Sequence, residues 1–181
     1  MEDRPVPDYS QAIAGARAWQ MAPTLWARTG GILWSMAMLN HWRDGEEIVA
    51  KCDAGHPAPA PGCSCGVYVW RNVERMFKNG YNPHDHRVIS GVVAGAGRVI
   101  RGDMGYWVAE RVVVLAFFRD PYPSPAEEVL EGSGVYLPTK EEAARVYNVP
   151  IIEYEDFEGF CEEYDCSGSE GGDNDNSRTA R

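Results

Sequence analysis

The sequence predicts an α+β protein, predominantly β, built on a curved or barrel-like antiparallel sheet with two short helices and a disordered acidic C-terminal tail. Three observations carry this reading. Residues 86–118 hold two long β-rich runs, HRVISGVVAGAGRVIR and YWVAERVVVLAFF, joined by the Gly-bounded turn GDMG. Gly91, Gly95 and Gly97 interrupt the first run, and glycine kinks in a long hairpin are a means of bending a sheet. Helical stretches follow strand runs in the order β…α…β…α without the regular alternation of a parallel α/β sheet.

The elements before the hairpin are short. AIAGARAWQ, APTLWA and GGILWSMAML are mixed runs with aromatic residues, the last after a Gly-Gly break, and they read as strands. EEIVAKC leads into a Cys/His-rich loop and GVYVW leaves it. NVERMFKNG is a short helix: Val73, Met76 and Phe77 share a face, and Asn79-Gly80 stops it. After the hairpin, Thr139 and Glu142 form a capping box ahead of EEAARVYN, which Asn148 and Pro150 close.

Charge divides the chain. Residues 153–181 carry ten acids and two bases, so −8 of the net −10 lies there, and residues 1–152 are close to neutral. A single β-rich domain over residues 1–152 is therefore expected, followed by an acidic-aromatic segment at 153–166 and a disordered tail at 167–181. In the middle segment Phe157, Phe160 and Tyr164 have the i, i+3, i+7 spacing of one helix face. That face either docks on the core or binds a protein partner, whose surface would then be basic and apolar. A near-neutral domain with an acidic tail excludes nucleic acid as the expected partner. The most apolar run, Val112–Phe118, is far too short to cross a membrane. MEDRPVPDYS has no basic-then-apolar leader pattern, so a cytoplasmic location is expected.

The chemistry concentrates between residues 52 and 65. Cys52, His56, Cys63 and Cys65 supply the four thiolate and imidazole donors that a closed structural Zn²⁺ site takes. The intervening HPAPAPG is stiff and can hold a loop out and return it. Two other readings stand beside the metal: cysteines packed as small core residues with His56 exposed, and a disulfide from Cys52 to Cys63 or Cys65. His84 and His86 in NPHDHR point the same way in an extended chain, which fits a solvated turn or half of a catalytic metal site. GVVAGAG lacks the glycine order and the strand-to-helix setting of a dinucleotide loop. The six tryptophans are scattered and read mostly as core. No catalytic constellation or further cofactor is indicated.

The stretches AKC…HPAPAPGCSCGVYV and ISGVVAGAGRVIRGDMGYWVAE resemble a poorly characterised group of small proteins of actinobacteria and their phages. In that group an A-x-C segment, a His-x-Ala-Pro stretch and C-x-C-G-[IV]-Y precede a glycine-marked hairpin. The resemblance spans about residues 12 to 152. It implies that Cys52, His56, Cys63 and Cys65 act as one unit, and it implies no activity. The functional expectation is a non-enzymatic, zinc-stabilised accessory module that binds another protein; the alternative is a small metal-dependent hydrolase.

Overall fold

In β6 (Val88–Arg101), residues 88–96 are all buried, on both faces of the strand. A strand of that kind needs cover above and below, and the whole architecture follows from supplying it. The structure is a computed structural model that describes residues 12–22, 33–36, 41–43, 45–79, 81, 88–102, 104–119 and 138–164. Ahead of β6 lie β1 (Ile13–Met21), β2 (Leu33–Ser35), β3 (His41–Trp42), β4 (Ile48–Val49), β5 (Val67–Trp70) and the helix α1 (Val73–Lys78). Behind it come β7 (Tyr106–Phe118), α2 (Lys140–Tyr147), β8 (Ile151–Ile152), a 3-10 turn (Tyr154–Asp156) and α3 (Phe157–Tyr164). Among the described residues strand makes up 44% and helix 22%, so the fold is mostly β as expected. Most of the expected strand over 22–27 and the expected tail over 167–181 lie outside the described residues.

The long hairpin is the spine. β6 and β7 pair antiparallel from Gly91↔Phe117 to Arg101↔Trp107, with register shifts at Val92/Val93 and at Ala96/Val99. Gly91 lies beside the first shift, where a Cβ would fall 2.1 Å from the Ala116 carbonyl oxygen; only glycine lets the strands approach this closely. The free edge of β6 pairs with β1, from Ile13↔Gly95 to Gln20↔Val88. The free edge of β7 is tiled by three short strands: β5 at 106–109, β4 at 111–112 and β8 at 117–118. β8 runs parallel to β7, so the sheet is mixed where an antiparallel one was expected. The sheet then curls until β5 meets β1 at one pair, Ala16↔Trp70. Gly15 makes that meeting possible, because a Cβ there would lie 2.6 Å from both the Trp70 oxygen and Val69 Cγ1. One pair closes a ring without making a full barrel.

Each face of this spine has its own cover. On one face Trp19 meets Trp42 edge-on at 5.2 Å and Phe117 at 5.8 Å, and Phe117 meets Tyr147 of α2 at 5.8 Å. The capping box of α2 is formed as the sequence implies: Glu142 N–H donates to Thr139 Oγ1, and Thr139 N–H donates to the Glu142 carboxylate. The Tyr147 hydroxyl donates to the Trp42 carbonyl, fixing α2 to β3. On the other face the strands present Ala16, Ala18, Val92 and Ala116, small enough for α1 and α3 to lie against them. Met76 of α1 is fully buried there, and Phe118 packs on Phe157 at 5.8 Å.

Among the described residues there are therefore three α-helices where two were expected, because residues 157–164 form one. Phe157 is only 7% exposed and Phe160 packs on the same cluster, so α3 is docked by these two residues. Of the two sequence readings for this segment, docking is the one that describes Phe157: its ring already faces Phe118.

Candidate metal centre

The Cys/His loop starts and ends on neighbouring residues of one strand. Ala50 N–H donates to the Glu110 carbonyl at 2.7 Å, and Val67 pairs with Ala109. β4 and β5 are too short to hold this crossing by backbone pairing alone, so the loop must be fixed by its own side chains.

Two tight turns shape it. Gly55 N–H donates to the Cys52 carbonyl at 3.0 Å, which swings His56 back toward Cys52. Cys63 N–H donates to the Ala60 carbonyl at 3.1 Å across Pro61-Gly62, the residue pair that a type II turn prefers. Between the turns the chain dips inward. Ala58 is 4% exposed and the Pro59 side chain is among the most buried in the molecule. The sequence expectation that HPAPAPG holds a loop out is thus corrected: its middle is an apolar foot planted on the domain, driven by the same burial that fills the core.

The four expected ligands come together. Their donor atoms all lie within 4.8 Å of one another. Cys52 Sγ is 3.8 Å from Cys63 Sγ and 3.3 Å from His56 Nε2, and Cys65 Sγ is 3.9 Å from His56 Nδ1. A tetrahedral Zn²⁺ with Zn–S near 2.3 Å has a sulfur–sulfur edge of about 3.8 Å and a sulfur–nitrogen edge of roughly 3.5 Å. The cluster fits such an ion in donor type and in size. Cys52, Cys63 and Cys65 are free thiols of intermediate exposure, which separates them from both core-packed cysteines and a disulfide.

The surroundings orient the donors. His56 Nδ1 is 3.2 Å from the Pro57 carbonyl. That oxygen can only accept, so Nδ1 carries the proton and the Nε2 lone pair faces Cys52; a ligating histidine uses its second nitrogen in this way. The same carbonyl is the main cause that raises the His56 pKa above its ordinary value, followed by the Cys63 sulfur. The Cys65 backbone amide, then the Cys65, His56 and Cys52 side chains, stabilise a Cys63 thiolate and bring its pKa down to about 7. Cys65 is pushed the other way, first by desolvation and then by Cys63. The two sulfurs are thus pushed in opposite directions, and a dication there would favour the thiolate form of the cysteines that hold it.

Tyr68, which sequence reasoning passed over as a strand residue, steadies the exit. Its hydroxyl donates to the Ser64 carbonyl at 3.2 Å and its ring packs, tilted by 52°, at 5.0 Å from Tyr106. The signal was its place three residues after Cys65. His84, His86 and Cys166 lie outside the described residues. Cys161 is half-buried against the cluster that α3 covers. Among the described residues no helix is long and apolar enough to cross a membrane. No protein-family model, curated protein or solved structure matches this chain.

Proposed function

We propose that the chain is a non-enzymatic β-rich module, stabilised by one structural Zn²⁺ on Cys52, His56, Cys63 and Cys65, that acts as an accessory factor by binding another protein. The observation that carries this reading is the convergence of four protein donors at tetrahedral spacing. Four protein ligands leave no position for the water that a catalytic zinc activates. The ion would join the start of the loop, at Cys52, to its end, at Cys63 and Cys65, so it acts as a staple between β4 and β5. Free thiols suit a reducing cytoplasm, and the resemblance to small actinobacterial and phage proteins supports treating the four donors as one unit.

For the partner, the support is one of charge. Glu155, Glu158, Glu162 and Glu163 are exposed along the 3-10 turn and α3, while Phe157 faces inward. A partner with a basic surface would meet these acids, which would set orientation and on-rate more than affinity.

Anaerobically purified protein should carry about one Zn²⁺ per chain by elemental analysis. Cys63→Ser and Cys65→Ser should each lose it and melt at a lower temperature, since structural metal binding is folding energy. Metal-free protein that melts at the same temperature as the purified sample would overturn the proposal.

A further inference from the structure

Arg17 is the single charged residue of β1, in a strand made otherwise of small, apolar, aromatic and amide side chains. It shares the strand face of Trp19 and Met21, which belong to the large-aromatic cluster. The guanidinium carbon lies 4.8 Å from the centre of the Trp42 ring. Nη1 donates to the Tyr68 carbonyl at 2.6 Å and Nη2 to Ser35 Oγ at 3.2 Å. The contact to Tyr68 sits where β1 and β5 part after their one pair, so Arg17 also ties the ring at its seam.

Donors outnumber acceptors at this seam. Trp42 Nε1 donates to the same Ser35 Oγ at 2.9 Å. Arg17 Nε and Trp19 Nε1 are both covered and have no hydrogen-bond partner among the described residues. Among the described residues the ion pairs are Lys78–Glu74, Arg111–Glu47 and Arg119–Glu153, and none involves Arg17. Among the described residues, then, no carboxylate pairs with this half-buried cation. Burial is strong enough to pull its pKa down to about 10.

From this cluster we infer that the seam of the ring is a recognition site for an oxyanion, a carboxylate or phosphate group, held by the Arg17 guanidinium beside the Trp19 and Trp42 indoles. A guanidinium has five donors in a planar fork that matches both groups, and two neutral acceptors leave most of them unmatched. Low water access makes the charge-assisted bond worth more here than on an open surface. The inference is independent of the metal, whose ligands lie in a different loop.

The test uses the full chain as purified. Tryptophan emission is followed while inorganic phosphate, and in a second series acetate, replaces chloride at constant ionic strength. A saturable change with either anion is expected, since the Trp42 ring lies against the cation and Trp19 packs on Trp42, and the series that saturates identifies the group. Arg17→Lys should weaken that binding about tenfold or more, because a point charge cannot reproduce the fork. Trp19→Phe removes the orphaned indole donor while keeping a ring, and it should weaken binding by a smaller factor. Absence of a saturable response to both anions in the unaltered chain overturns the proposal. So does unchanged affinity in Arg17→Lys or, where that variant does not fold, in Trp19→Phe.

Discussion

The long hairpin and the Cys/His loop sit side by side on β7 and are held by opposite means. In the hairpin, β6 and β7 are joined by a nearly continuous backbone ladder, and both faces of the pair are packed. The loop at residues 51–66 has no strand or helix, an apolar foot at Ala58 and Pro59, and four side chains that converge. Order in the first region is spread over many weak contacts, each worth little. In the second it rests on a few strong ones. Damage should therefore be graded in the hairpin and all-or-none in the loop.

The largest effect is expected from the packed face. Trp19→Ala removes a fully buried ring that touches both Trp42 and Phe117 edge-on, and should cost about 3–5 kcal/mol in urea unfolding. A cost near zero would mean that this face is not the centre of the core. Metal stripping comes next. Releasing a cross-link around a loop of this length should lower stability by on the order of 3 kcal/mol. Hydrogen exchange should then quicken over residues 48–70 while residues 88–118 keep their protection. If the hairpin loses protection in step with the loop, the two regions are one cooperative unit and the comparison fails. The smallest effect is chemical. With its pKa near 7, Cys63 in stripped protein is largely thiolate at pH 8, whereas Cys65 is shifted toward the thiol. A brief exposure to iodoacetamide, read by peptide mass spectrometry, should label Cys63 ahead of Cys65. Equal labelling would show that the Cys65 amide does not hold the Cys63 sulfur.

Much of this was legible in the sequence where the signal is local. The capping box at Thr139 and Glu142 and the glycine marks in the hairpin each depend on residues a few positions apart. The four metal donors are close in sequence too, and loop chemistry is set by types and spacing. What stayed hidden depends on distant partners. Phe157 is part of a helix face by its spacing, but only Phe118 decides that the face is covered. Ala58 and Pro59 look like spacer until the domain beneath them is built.

The sequence by itself thus determined the β-rich class, the hairpin, the helix that starts at its capping box and the donor set of the candidate metal centre, because each is written in short-range pattern. Only the tertiary structure decided that β5 curls round to β1 at Ala16 and Trp70, that three short strands share one edge of β7, and that Arg17 stands at the seam with no carboxylate partner among the described residues. The physical reason is the range of the interaction. Turns, caps and ligand spacing are settled within a few residues, whereas ring closure and the pairing of a cation in a strand depend on which distant segments burial brings together.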